Sequence, residues 1–152
     1  MTKWLDPTED RLWRGFLEVS VRAFDLIDDA LRDNTGLSLD DYEVLVYLSE
    51  SEHGRLRMSE LADRMLHSRS RLTHRIDRMV ADGLVERADC PHDRRGVEAV
   101  LTAQGRRRLE AAAPGHVEAV RRVFIDRFDE SEKQSVATAF ERIASELRPK
   151  LR

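Results

Sequence analysis

Ser68, Arg69, Ser70 and Arg71 alternate hydroxyl with guanidinium directly ahead of Leu72, Ile76, Met79 and Val80, which recur at helical spacing. A helix that opens this way combines free backbone N–H groups with hydroxyls and planar bidentate donors. That is the equipment for holding a phosphate and reaching base edges together. Further along, Asp93-Arg94-Arg95-Gly96 reads as the tip of a turn. An Arg there can enter a minor groove, where negative potential favours it, while the neighbouring carboxylate holds its guanidinium in position. Arg106, Arg107 and Arg108 follow just behind. The remaining reactive residue types form no catalytic set. There is no Gly-rich phosphate loop and no GxSxG, and Asp25, Asp28, Asp29 and Asp33 follow a helical face without a partner base. Cys90 is the single cysteine, which excludes an intrachain disulfide, a Cys-rich zinc site and a CxxC pair. It reads as a structural thiol, with a redox sensor as the alternative. His53, His67, His74, His92 and His116 lack HxxxH spacing, so neither a metal nor a cofactor is expected.

The charge distribution agrees with a polyanion partner for one segment only. The 152 residues carry a net charge of −3, yet residues 1–54 hold 5 basic and 13 acidic side chains, residues 55–108 hold 13 and 8, and residues 109–152 hold 8 and 8. A basic middle between an acidic and a neutral flank suits one lobe that meets nucleic acid, the alternative being a mosaic of solvated charge. Of the 26 basic residues 23 are Arg, the type that makes bidentate contacts to phosphate and guanine. A 41% hydrophobic content supports a core in one domain or two small lobes. No run approaches the ~18 apolar residues of a membrane span, and Met1 to Asp10 lack the apolar stretch of a signal peptide. A cytoplasmic protein without membrane contact is expected.

These groups need elements to position them. Leu12, Phe16, Val19, Ala23, Leu26, Ile27 and Ala30 predict a first helix from Thr8 to Arg32, broken by Asn34-Thr35-Gly36. Leu39, Tyr42, Leu45, Val46 and Leu48 predict a second helix ending near Glu50. A short third helix over Met58, Leu61, Ala62 and Met65 has Ser59 near its start as a cap. Ser68 caps a fourth, which Asp82-Gly83 stops. The period then changes to alternation in Leu84 to Arg87 and Val97 to Leu101, with Asp89 to Arg95 as the turn of a β-hairpin. Thr102 caps a fifth helix that Pro114 should kink or break, and Asp129 or Ser131 starts a sixth, ended by Pro149.

Two short helices followed by a hairpin have the order of a winged helix-turn-helix, whose second helix enters the major groove. Leu72, Ile76, Met79 and Val80 form the buried face of the fourth helix, and Ser70, Arg71, His74, Asp77 and Arg78 lie opposite. The long first, fifth and sixth helices carry apolar stripes that one short chain covers only in part. A second copy is the obvious cover, in an intertwined C2 bundle, and a self-covering monomer is the alternative. The expected fold class is mainly α with a small β-hairpin wing. Residues 37–102 form the DNA-binding domain, and residues 1–36 with 103–152 a helical dimerisation domain. Trp4 and Trp13 read as core, or as lining for a ligand cavity.

Met58-Ser59-Glu60-Leu61-Ala62, Ser68-Arg69-Ser70, Asp82 to Arg87, and Asp93-Arg94-Arg95-Gly96 followed by Leu101-Thr102-Ala103-Gln104-Gly105 resemble the MarR family of bacterial transcriptional regulators. The resemblance implies a homodimer on a pseudo-palindromic double-stranded DNA operator, commonly a repressor released by a small-molecule effector. It implies that Asp93 orients Arg95 in the minor groove, beside Arg94, while Ser68, Arg69, Ser70 and Thr73 sit at the major groove. His74 stands where the family often has Arg, and Arg75 where it often has an apolar residue; Arg75 is expected to reach a phosphate at the groove edge. A non-specific architectural DNA binder or a protein-binding winged helix is the alternative, separable by titration with random-sequence DNA.

Overall fold

The computed structural model of the chain describes residues 1–65, 69–90 and 93–147, with the backbone alone for Arg69 and residues 93–95. Helix α1 (Pro7–Thr35) begins at a capping box. Asp6 Oδ1 accepts from the Thr8 and Glu9 N–H groups at 2.7 and 2.9 Å, and Glu9 accepts from the Asp6 N–H. Pro7 takes the first helical position, where its missing donor costs nothing. The helix outlasts its expected end at Arg32, with the Gly36 N–H still donating to the Arg32 carbonyl at 2.8 Å, and Gly36 at φ +74° turns the chain out. Helix α2 (Leu39–Glu50) starts at a second capping box, between Ser38 and Asp41. Asp28 Oδ1 accepts the Leu39 N–H at 2.6 Å. Burial opposes ionisation of Asp28, but the hydrogen bonds from Arg32 and Leu39 outweigh it and hold the carboxyl below its ordinary range.

Strand β1 (Arg55–Arg57) runs straight into helix α3 (Met58–Arg64), so the cap position falls on Arg57. Ser59 therefore lies inside the first turn and does not cap it, contrary to expectation. Helix α4 (Arg69–Ala81) stops where expected. Gly83, at φ +71°, donates to the Val80 carbonyl at 3.0 Å and Leu84 to that of Met79 at 2.9 Å, a Schellman motif. Ser68, the expected cap of this helix, and Pro149, the expected end of the last, lie outside the described residues.

Strands β2 (Val85–Cys90) and β3 (Asp93–Leu101) make the hairpin, and β1 adds to its other edge in an antiparallel sheet ordered β1-β3-β2. Pairing extends further than the alternation predicts, so the turn is narrower than Asp89 to Arg95. The register steps from Asp89↔Val97 to Cys90↔Asp93, so Arg94, Arg95 and Gly96 fall in the irregularity rather than opposite β2 residues. Thr102 caps helix α5 (Ala103–Val123) as expected, accepting the Gly105 N–H at 2.9 Å. This helix continues unbroken through Pro114, which lies on an exposed face. Asp129 caps helix α6 (Glu130–Leu147), accepting the Glu132 N–H at 2.8 Å. No helix among the described residues is long and apolar enough to cross a membrane.

The chain divides into two compact units, Met1–Leu26 with Val117–Arg152, and Ile27–His116. The division falls inside α1 and α5, and Leu31 and Ala112 of these helices belong to the core of the second unit. Leu45, Leu48, Leu61, Leu72, Ile76, Met79 and Val85 fill that core. Gly105 is where α5 meets it: a Cβ there would stand 2.1 Å from the Leu84 carbonyl oxygen and 2.9 Å from Leu101 Cδ1. The Leu84 backbone cannot yield cheaply, whatever the Leu101 side chain does. Gly105→Ala is expected to lower stability by about 2 to 3 kcal/mol, read as an earlier urea midpoint at unchanged slope.

Candidate nucleic-acid interface

Helix α4 presents two faces. Leu72, Ile76 and Met79 are fully buried, whereas Ser70, Arg71, Thr73, His74, Asp77 and Arg78 are exposed. Val80, expected on the buried face, is 38% exposed, because it sits on the flank of the stripe rather than at its centre. The outward residues are those whose types suit base edges and phosphates. Of the expected contacts, Ser68 lies outside the described residues. Arg69 is the first residue of α4, and Asp93, Arg94 and Arg95 lie at the start of β3, with backbone alone described.

Two arginines tie α4 to its neighbours. From the hairpin, Arg87 pairs with Asp77 at 2.6 Å and donates to the Thr73 carbonyl at 3.4 Å, so the wing and the polar face of the helix are fixed to each other. From α4 itself, Arg75 turns toward α2. Its Nη1 donates to Asp41 at 2.6 Å and to Ser38 Oγ at 3.1 Å, and its Nη2 pairs with Asp40. In this chain its guanidinium is engaged by two carboxylates, with the side chain only 13% exposed. Sequence reading missed Ser38, Asp40 and Asp41 as contributors. The S-x-x-D capping signal was present at Ser38 and Asp41, but the partner from α4 is distant in sequence.

Arg106, Arg107 and Arg108 are exposed in the first turns of α5, with Arg108 Nη2 donating to the Thr35 carbonyl at 2.6 Å. A cleft of about 400 Å³ opens beside them, lined by Leu37, Asp41, Arg78, Met79, Gln104 and Arg108 among others. The other reactive residues stay apart. No group of three or more His, Cys, Asp or Glu side chains among the described residues is arranged to hold a metal. His116 packs on Tyr42 with ring centroids 4.3 Å apart, and burial lowers its pKa. Cys90 is a buried free thiol. Trp4 and Trp13, expected in the core, are 84% and 52% exposed, since their segment belongs to a unit whose helices leave much apolar surface open.

The profile of the MarR family matches residues 35–96, which hold α2 to α4 and the hairpin up to Gly96. A crystal structure of AbsC, a MarR family transcriptional regulator from Streptomyces coelicolor, is 44% identical with a TM-score of 0.91, over 98% of this chain and 100% of that one. Sco3205, another MarR family regulator from Streptomyces coelicolor, solved in complex with DNA, is 38% identical with a TM-score of 0.93, over 99% of this chain and 94% of that one. The HTH-type transcriptional repressor YetL of Bacillus subtilis is 29% identical over 139 residues, 86% of this chain and 83% of its own length.

Proposed function

The chain belongs to the MarR family of transcriptional regulators, and on that premise we propose that it binds a specific double-stranded DNA operator as a homodimer and represses transcription until a small molecule releases it. The family is one of regulators, not of enzymes. The observation that carries DNA recognition is α4, anchored by Leu72, Ile76 and Met79 and turned outward with Ser70, Arg71, Thr73 and His74. These residues, with Ser68 and Arg69 ahead of them, read the major groove. Arg95, oriented by Asp93, enters the adjacent minor groove, and Arg94 holds the backbone beside it.

Dimerisation is supported by apolar surface that one chain leaves open. On α1, Phe16, Phe24 and Leu26 are exposed, and α6 buries no residue and exposes Phe140 and Ile143. Residues 1–26 and 117–152 serve as the dimerisation unit in this scheme, and residues 27–116 as the DNA-binding unit. The effector site we assign to the 400 Å³ cleft, whose wall includes Asp41 of α2 and Arg78 of α4. A ligand there releases DNA only by favouring a poorly binding arrangement, and DNA must then weaken the ligand by the same factor.

Competition between a selected operator and random-sequence duplex tests the recognition role. Ser70→Ala is expected to weaken the operator complex by about 1 to 3 kcal/mol and leave random DNA nearly unchanged. Arg107→Ala is expected to weaken both equally and to flatten the salt dependence by about one unit. Equal losses on both DNAs for Ser70→Ala would point to non-specific binding and reject the assignment of α4.

A further inference from the structure

We infer that Arg75 is a positioning residue for DNA recognition: by gripping the N-terminus of α2 it sets the pose of α4, and so the specificity of the complex, without touching DNA. This rests on α4 being the recognition helix. The bonding of the guanidinium argues against a phosphate role. Nη1 is engaged by Asp41 and Ser38 and Nη2 by Asp40, so both ends of the fork are already held by acceptors on α2. The side chain is also nearly closed to solvent, at 13% exposed against 68% for Arg78 on the same helix.

The grip is attached to a rigid point. Ser38 and Asp41, which receive Arg75, are the two halves of the α2 capping box: Ser38 Oγ accepts the Asp41 N–H at 3.1 Å, and Asp41 Oδ2 accepts the Ser38 N–H at 3.3 Å. The guanidinium is thereby joined to the α2 backbone through a single hydrogen-bonded step. Apolar packing of Leu72, Ile76 and Met79 fixes how deeply α4 sits, but contacts of this kind are non-directional. A planar fork fixed on two carboxylates and a hydroxyl is directional, and it resists rotation of the helix about its axis. Base-edge hydrogen bonds depend on that rotation, whereas long side chains on phosphates adapt to it.

The test uses full-length protein and a duplex recovered by repeated selection from a randomised pool on the wild type, compared with random-sequence duplex. Arg75→Met, and Arg75→Lys, which keeps the charge but not the fork, are expected to lower the operator-to-random affinity ratio about tenfold, as loss of well-formed base contacts does. Random-DNA affinity and its salt slope should stay as in the wild type, at a temperature where circular dichroism shows every variant folded. An Asp40→Asn/Asp41→Asn double variant is expected to lower the same ratio, although it removes negative charge. A salt slope reduced by about one unit for Arg75→Met on both DNAs would make Arg75 a phosphate contact and overturn the inference. So would an Asp40→Asn/Asp41→Asn variant that binds both DNAs more tightly at an unchanged ratio. A wild type that yields no preferred duplex overturns the recognition role of α4 itself, whereas a preference that Arg75→Met and Arg75→Lys retain overturns the inference alone.

Discussion

A chain carrying Phe140→Asp is expected to sediment as a folded monomer and to lose operator affinity by about 10²- to 10⁴-fold. Phe140 is 46% exposed in the single chain and its ring stands edge-on to Phe16 with centroids 6.4 Å apart, so a carboxylate there keeps part of its hydration in the monomer and gives up that one ring contact. In the proposed two-fold dimer the same position would be buried and would occur twice, and each unpaired charge taken from water into an apolar interface costs several kcal/mol. The core built on Leu45, Leu61, Leu72 and Ile76 holds no residue of α6, so far-ultraviolet circular dichroism and the binding of random DNA per half-site should change little. What disappears is the second half-site contact, which a dimer makes at high effective concentration and a monomer must make by a separate encounter. Sedimentation with fluorescence anisotropy on one sample reads both effects. A Phe140→Asp protein that remains dimeric with undiminished affinity would remove α6 from the interface.

Much of this arrangement was legible from local pattern. The period of Leu72, Ile76 and Met79, the stop at Asp82-Gly83 and the cap at Thr102 each depend on residues within a few positions, and each appears in the structure where the pattern put it. Strand β1 did not. Arg55-Leu56-Arg57 is three residues long and polar on one face, and it is a strand only because β3 offers its free edge through the pairs Arg55↔Val100 and Arg57↔Glu98. The same non-local pairing lengthens β2 to Cys90 and narrows the wing turn. Ser59 looked like a cap because its type suits one, but the chain enters α3 directly from β1, leaving the cap position to Arg57.

What local pattern leaves out of the candidate interface is long-range ion pairing. The resemblance implies that Arg75 reaches a phosphate at the groove edge, a reading that rests on its residue type at that position. Its partners lie in another helix, and no spacing rule connects Arg75 with Asp40 and Asp41. The pair between Arg87 and Asp77 was hidden for the same reason. Trp4 and Trp13 differ for another reason: aromatic type favours burial, and in the single chain both are exposed.

The most direct test of two recognition helices working as a pair is the spacing of their half-sites. A two-fold dimer presents them to successive major grooves, about 34 Å apart along one face of the duplex, so the selected operator should be an inverted repeat with centres about 10 to 11 base pairs apart. Inserting about five base pairs between the half-sites keeps every base contact available but turns one half-site to the opposite face. Affinity for the interrupted duplex, measured by anisotropy against the intact operator, is expected to fall by about 10²-fold or more, to that of a single half-site. An interrupted duplex bound as tightly as the intact one would contradict the paired arrangement.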